Sequence, residues 1–558
     1  MGTNVRKSFF TSVRPTRVLK IGLLAATAFT LCAGAASAYN GDPDYLTYDG
    51  GAIISPDGPS GSIGAQGPVS SSSGSVGLSF QGISQYDTRA FGRGFIPPDT
   101  MGAVGATQYM EFVNGATAVY DKASGARTSL VSDLAFWAAA GQSGAFGDSR
   151  VMYDNRSQRW VALSFAATTD TIQIAVSDTS NALGGWKSTS FLGYSGIADF
   201  PTLAIDSKAI YIGTNNFNAA GTAFDGVTLN VISRGNLFGP GGPTTTSLKQ
   251  FFTSTAAIVG GDDRGFAIQG VNQIGSDSGK IIAVGANNFG SVRYDVNNPG
   301  TAGATETAAT LLSPGDAYDP NRLARQPYTT GTGATRTIDP SDDRIGSAAW
   351  EQHGKIYSVH TITETGTDHT EVQWQVVDAA TNAILATGKI GGNGDGYDYY
   401  QGSIAVNDSG QVVIGYDRSG SNSPDGKISI FADTFNSLAG GGLTNTGRYL
   451  LKVSDSDSYH NGSLDGQAAT GRQRWGDYSA VSLDPSDREK FWIIGEFARE
   501  PNNAANGHPG GTGGTRWGTW ISQLTLSAVP EPATWAMMLV GFGVVGGALR
   551  RRTAKAAA

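Results

Sequence analysis

The feature that most constrains this fold is a set of four short strands, divided by tight turns, that recurs along the chain. One copy runs through Ser149–Asp154, Arg159–Ala166, Thr171–Asp178 and Trp186–Phe191, with turns at Asp154-Asn155-Arg156-Ser157, Thr168–Asp170 and Asn181–Gly185. A repeat this short cannot bury its faces alone and must stack on its neighbours. Each copy opens on a strand of small residues: Thr100–Gly105, Ser149–Asp154, Pro201–Asp206, Phe266–Asn272, Gly346–Glu351, Gly402–Asn407 and Tyr478–Asp484. Bulkier second strands follow at Tyr109–Asn114, Trp160–Ala166, Ala209–Asn215, Lys280–Asn287, Lys355–Thr361, Gln411–Tyr416 and Lys490–Phe497. Glycine, at 78 of 558 residues, is about twice as frequent as usual, which suits many turns. No apolar stretch of the body keeps a 3.6-residue spacing, whereas alternating and short apolar runs abound. The expected fold is all-β, a β-propeller of seven four-stranded blades whose small inner strands line a central channel.

The last copy has three strands, Tyr478–Asp484, Lys490–Phe497 and Trp517–Leu526. Val76–Gln81, upstream of the first copy, can supply the fourth, closing the ring and removing its edges. Gly300–Pro340 and Asn502–Gly514 read as surface loops, and Ser55–Ser75 as a flexible Gly/Ser/Pro stretch.

Both ends of the chain carry addresses. Residues 1–20 hold Arg6, Lys7, Arg14, Arg17 and Lys20 and no acidic residue; an apolar segment follows from Ile21 to Leu31, then Ala36-Ser37-Ala38. These are the parts of a secretory signal peptide cleaved after Ala38, with Ala36 and Ala38 as the small residues of the cleavage site. The n-region has no Arg-Arg pair, which favours the general secretory route. Cys32 has Leu31 before it, so a lipobox is not formed.

At the other end, Pro530-Glu531-Pro532 precedes an apolar run, Ala533–Leu549, and then Arg550-Arg551-Arg552. Eighteen residues lie between Glu531 and Arg550, and as a helix they rise about 27 Å, enough for one transmembrane span. The three arginines hold that end in the cytoplasm. The triplet, the Trp535-Ala536-Met537-Met538 segment and the Gly541-Phe542-Gly543 step resemble the PEP-CTERM sorting signal of exopolysaccharide-producing Gram-negative bacteria. That resemblance implies an exosortase-type sorting peptidase acting at Pro530, Glu531 and Pro532, a transient inner-membrane anchor, and delivery to the cell surface or extracellular matrix. The expected organisation is a signal peptide over 1–38, a linker over 39–75, the propeller over 76–526 and the sorting tail over 527–558.

Processing at Ala38 removes the only cysteine, so the body has no disulfide and rests on its core. Between 39 and 530 there are 30 basic and 46 acidic residues, a net charge of −16. Such a body is a poor partner for nucleic acid or an anionic membrane. The five histidines, His353, His360, His369, His460 and His508, form no metal-ligand spacing, and there is no G-x-S-x-G, P-loop or G-x-G-x-x-G motif. Catalytic residues and a resident cofactor are therefore not assigned. Ca²⁺ is the one ion the loops suggest, at Asp455, Asp457 and Asn461, with Asp395 and Asp398 in a second acidic loop. Neither loop has the EF-hand Gly at position six or Glu at twelve, and solvated turns are the favoured reading of both.

Polar residues that begin the inner strands are the remaining candidates. Asp99, Asp148, Arg150, Asp199, Arg264, Arg344, Asp477 and Tyr478, with Tyr399, Gln401 and Arg474, would gather at one channel mouth. There they could grip a sugar, use paired carboxylates on a glycosidic bond, or simply satisfy one another and the strand-end amides.

Pro97-Pro98-Asp99-Thr100-Met101-Gly102-Ala103-Val104-Gly105, Asp148-Ser149-Arg150-Val151-Met152-Tyr153-Asp154, Asp199-Phe200-Pro201-Thr202-Leu203 and Arg474-Trp475-Gly476-Asp477-Tyr478-Ser479-Ala480 look like blades of secreted bacterial seven-bladed propellers. In outline that group is similar to sialidase-type propellers, but the S-x-D-x-G-x-T-W box is not intact here; Ser423-Pro424-Asp425-Gly426 comes nearest. The leading expectation is an exported propeller of the surface or biofilm matrix that binds exopolysaccharide in a structural or adhesive role. The alternatives are a glycan hydrolase or lyase working at the channel mouth and a scaffold for a protein partner.

Overall fold

The computed structural model describes residues 74–526, apart from 92–94, 145, 167–169, 274–278, 287–289, 313–317, 320–321, 328–335, 393, 460–470 and 502–514. The expected signal peptide, most of the linker and the sorting tail with Ala533–Leu549 lie outside the described residues. No helix among the described residues is long and apolar enough to cross a membrane.

The fold is all-β and propeller-like. The first meander comprises Met101–Val104, Gln108–Val113, Ala116–Asp121 and Arg127–Ser132. The second is Phe146–Asp154, Arg159–Ala166, Thr171–Ser177 and Trp186–Leu192. In the third, the innermost strand is split into Ile197–Asp199 and Ala204–Ile205, followed by Ala209–Phe217, Phe224–Ser233 and Lys249–Ser254. The fourth has Phe266–Gln273, Lys280–Val284 and Ser291–Asn297, and its outer edge is made of two short pieces, Thr305–Glu306 and Thr310–Leu312. Ala349–Gln352, Lys355–Glu364, Glu371–Asp378 and Ile384–Ile390 form the fifth, and Tyr397–Val406, Gln411–Gly420, Ser429–Ser437 and Leu443–Val453 the sixth. The last is built from Ala480–Leu483, Lys490–Pro501 and Thr515–Leu526, and its fourth strand is Gly74–Ser84 from the other end of the chain.

That fourth strand runs antiparallel to Thr515–Leu526, with Val76 opposite Leu524 and Gln81 opposite Trp520. The innermost strand of the first meander touches those of the second and the last, so the meanders form a closed circuit. Small side chains permit the approach: a Cβ on Gly105 would lie 2.5 Å from the Trp160 ring. Between the fourth and fifth meanders the contact becomes a parallel pairing of Val271–Gln273 with Ala349–Glu351.

The core is a series of layers between successive sheets. Leu163, Ile174, Ile205 and Ile212 fill the layer between the second and third. Val359, Trp374, Tyr416 and Phe431 fill the one between the fifth and sixth, and Val413, Ile430, Phe491 and Leu524 the next. Trp137, Trp160, Trp475, Trp492 and Trp517 are fully buried, each the kind of side chain whose truncation costs about 3–5 kcal/mol. With no disulfide present, these layers and the strand ladders carry the stability.

The Gly300–Pro340 segment is more than a surface loop. Its strand pieces edge the fourth sheet, and Arg336–Asp339 pairs in parallel with Gly471–Arg474. Ala324 and Ile338 form a bridge and are both fully buried. Its Thr/Ala/Gly-rich composition hides these few anchoring positions.

Candidate functional site

The entries to the inner strands share an unusual backbone. Asp99, Asp148, Phe200, Ala267 and Gln401 all have φ between 49° and 57°, a left-handed conformation that non-glycine residues adopt only at a cost of about 1 kcal/mol or more. Asp148, Ala267 and Gln401 sit where the strand register shifts, within bulges that turn the chain toward the axis. Each entry presents an N–H or a side chain to the next sheet.

Those groups are handed from sheet to sheet. The Asp477 N–H donates to Asp99 Oδ1 at 3.0 Å, and Asn114 Nδ2 donates to Asp99 Oδ2 at 2.7 Å. Asn114 Oδ1 then accepts the Asp148 N–H at 3.0 Å, and Asp148 Oδ2 accepts the Phe200 N–H at 3.0 Å. Asn215 repeats the role of Asn114, taking the Ala267 N–H on its Oδ1 at 2.8 Å. Asn114 directly follows the second strand of its sheet and Asn215 lies near the end of the equivalent strand, and that repetition was the sequence signal for them.

On the axis, Arg150 spans the ring. Its Nε donates to Pro201 O at 3.1 Å and its Nη1 to Gly346 O at 2.8 Å. The guanidinium lies 3.4 Å from the Tyr478 ring centre and 4.9 Å from that of Phe200. Arg344 stacks on Phe200 at 4.2 Å and pairs with Asp342 through Nε (2.5 Å) and Nη2 (2.6 Å). Arg474 Nη2 donates to Asp477 Oδ1 at 3.0 Å. The result is an ionic plug of alternating rings and guanidiniums.

Of the sequence candidates, Asp99, Asp148, Arg150, Asp199, Arg344, Asp477 and Tyr478 are brought together here, with Gln401 and Arg474, and every one is buried. Arg264 stands apart, bound to Asp262 and Thr307 O and stacked on Tyr294. Tyr399 also lies elsewhere, donating to Asp395 Oδ2 at 2.7 Å. Burial, reinforced by the Asp477 and Asp148 carboxylates, lifts the Asp99 carboxyl well above the usual range. Asp199 is raised in the same way, by burial and then by Asp148. For Asp477, burial outweighs the opposing pull of Arg474 and Arg344. Burial likewise lowers the Arg150 guanidinium. These groups bond each other and the backbone in part, with Asp148 Oδ1, Arg150 Nη2, Arg474 Nε and Asp477 Oδ2 buried without a partner, and none of them faces solvent.

Past the plug, the inner strands line a small, partly open funnel. Gly102, Ala103, Ala348, Ser403 and Ala480 make its wall small, and Tyr153 and Trp350 add two rings.

The acidic loops are also occupied from within. Lys452 Nζ donates to Asp455 Oδ1 at 2.7 Å, and Lys427 Nζ lies 3.1 Å from Asp457 Oδ1; Asn461 is outside the described residues. Asp398 accepts the Thr370 N–H on Oδ1 and Arg325 on Oδ2. Among the described residues no group of three or more His, Cys, Asp or Glu could hold a metal ion.

Fold and axis together define a propeller-like protein with a plugged, open-funnelled centre. Residues 528–552 match the PEP-CTERM protein-sorting motif, which marks the chain for export to the cell envelope or surface and, in general, for exosortase-type processing. No curated protein matches the chain in sequence. Among solved structures it is similar to a protein of unknown function from Dyadobacter fermentans, at 10% identity over 77% of this chain and 95% of that one, TM-score 0.34. It is also similar to the WD40 domain of Toxoplasma gondii coronin, at 9% identity over 76% and 80%, TM-score 0.36. A third is the endo-arabinase of Bacteroides thetaiotaomicron, at 13% identity over 68% and 94%, TM-score 0.27. Likenesses this distant say nothing of ligand or activity.

Proposed function

We propose that the chain is a seven-bladed β-propeller that binds extracellular polysaccharide at the cell surface or in the matrix, without turning it over. A signal peptide over 1–38 starts its export. The Ala533–Leu549 span then anchors it in the inner membrane until a sorting peptidase acts at Pro530-Glu531-Pro532, and Arg550, Arg551 and Arg552 keep the tail end in the cytoplasm.

The supporting observation is the state of the axial carboxylates. A glycosidase needs two carboxyl groups about 5–9.5 Å apart across a site open to the sugar. Asp99, Asp148, Asp199 and Asp477 are instead buried behind Arg150 and Tyr478. What faces outward is a funnel with two aromatic rings, a surface suited to holding a chain end or a side branch.

The test is to incubate the full-length chain with the producing cell's own exopolysaccharide, measuring retention and released oligosaccharide together. Saturable retention with no release is expected. Release of oligosaccharide would overturn the reading in favour of a glycan-active enzyme, and neither retention nor release in favour of a protein scaffold.

A further inference from the structure

The second strand of the sixth meander carries a cation that the fold itself does not use. Arg418 lies between two aromatic rings, with its guanidinium carbon 4.2 Å from the Tyr397 ring centre and 4.4 Å from that of Phe431. The residue is only partly buried. Its Nε is enclosed and has no hydrogen-bond partner, and no ion pair joins Arg418 to any carboxylate among the described residues. Three carboxylates of the same sheet and its preceding loop have other partners: Asp433 is held by Arg448 at 2.8 and 2.9 Å, Asp398 by Arg325, and Asp395 by Tyr399.

This arrangement is unusual in a body of net charge −16, where carboxylates are plentiful. An arginine on such a surface ordinarily finds one, and the other arginine on this face has done so. The two rings cover the faces of the Arg418 guanidinium and fix its plane. Its two Nη groups are not enclosed and have no hydrogen-bond partner among the described residues, and that end of the fork can bond a planar oxyanion through two parallel N–H donors. Pre-positioning the fork removes much of the ordering cost that a free surface arginine would bear on binding.

We propose that Arg418, held by Tyr397 and Phe431, is a receptor for the carboxylate of a uronate residue, and that the polysaccharide this protein binds is acidic. The proposal rests on the polysaccharide-binding reading above and adds the class of sugar and the residue that reads it. The axial plug is not involved: its arginines are buried, whereas Arg418 is only partly buried.

The experiment compares the full-length chain with Arg418→Gln, Arg418→Lys and Tyr397→Leu, using polygalacturonate, dextran sulfate and neutral dextran as probes at low ionic strength. Thermal melting of each variant shows whether the fold is kept. The expected result is preferential binding of polygalacturonate, weakened at least tenfold by Arg418→Gln. Arg418→Lys should also lose most of the binding, because an ammonium cannot make the paired contact. Tyr397→Leu should weaken binding less. Dextran sulfate bound more tightly than polygalacturonate would overturn the carboxylate assignment in favour of a sulfate ester. Polygalacturonate and dextran bound alike, with Arg418→Gln indifferent, would overturn the acidic site and leave the matrix reading standing. A folded chain that retains no polysaccharide would overturn both.

Discussion

The phenol of Tyr478 reaches across the axis and donates to the backbone carbonyl of Ser149 at 3.1 Å. The two residues are 329 positions apart and belong to the last and second sheets, so this bond ties the end of the ring to its beginning through the centre. Arg150, beside Ser149, stacks on the same ring. Arg150→Met should therefore be costly. It leaves Pro201 O and Gly346 O without their donor and strips the counter-charge from the buried aspartates, an effect of about 3–5 kcal/mol. Tyr478→Phe keeps the stacking and loses one hydrogen bond, about 1 kcal/mol. Urea unfolding of both variants checks the ratio, and equal effects would mean that Arg150 is not the centre of the plug.

Closure of the ring depends on Gly82. Its position in Gly74–Ser84 has no room for a side chain: a Cβ would come within 2.2 Å of Thr519 Oγ1 and 2.6 Å of Glu111 Oε2. Gly82→Val should pry the first strand from Thr515–Leu526 and expose the edge of the last sheet. Removal of residues 70–85 should do more and lower the melting temperature of the whole body. Hydrogen exchange would follow the event locally, with the amides of Thr515–Leu526 losing protection first. Unchanged cooperative unfolding after the deletion would show that the ring does not need this strand.

A single carboxyl sits at that same seam. Glu111 accepts the Ile83 N–H at 3.0 Å and the hydroxyls of Tyr120 at 2.6 Å and Thr519 at 2.5 Å. Burial raises its pKa to about 7, partly offset by those donors, with Asp87 adding a little upward. A carboxyl whose pKa rises on folding contributes stability that is full below its unfolded value, near 4.5, and is lost as pH climbs through the folded value. The seam should hold best below about pH 4.5, weaken as pH rises from there to about 7, and change little above that. Glu111→Gln keeps an acceptor and cannot titrate, so its melting temperature should vary less over that interval than the wild type's. Parallel pH profiles for the two proteins would assign the dependence elsewhere, to other buried acids such as Asp417, which burial lifts to about 8.

Alternation and turn chemistry made the sheets legible in the sequence. The inner strand read as Ser149–Asp154 extends over Phe146–Asp154, and the second strand read as Tyr109–Asn114 is Gln108–Val113. The axial residues were legible as a group because aspartate or arginine recurs at strand entries. Their role was not. Whether Asp148 faces a solvent-filled mouth or a neighbour's amide depends on the left-handed bulge at its own position, and no residue pattern announces a bulge made by Asp, Ala and Gln alike. Glu111 looked like one polar position in an apolar strand, because its partners Ile83 and Thr519 come from the two ends of the chain. Arg418 was hidden for a related reason: its significance lies in the carboxylate it lacks, which only the folded arrangement of Asp433, Asp398 and Asp395 makes visible.

The last strand and the sorting motif are nearly contiguous, and this sets a requirement on export. Thr515–Leu526 is the central strand of the final sheet, paired with Lys490–Pro501 on one side and Gly74–Ser84 on the other. The Leu526 N–H donates to Glu489 O at 2.8 Å, which fixes the strand to its very end. The matched motif begins at residue 528. A peptidase acting at Pro530-Glu531-Pro532 therefore works within a few residues of a closed sheet, and cutting there leaves every ladder bond of the ring in place. Replacing the three residues by alanine should leave the full-length product in the membrane fraction, whereas the unaltered chain should yield a shorter, released one. Immunoblots of membrane and medium fractions distinguish the two. Inserting a ten-residue Gly/Ser spacer after Ser527 should leave the released body as stable to heat as the original, because the ring's pairing among the described residues is complete at Leu526. If the released, spacer-bearing protein melted lower, residues beyond Leu526 would have to contribute to the fold.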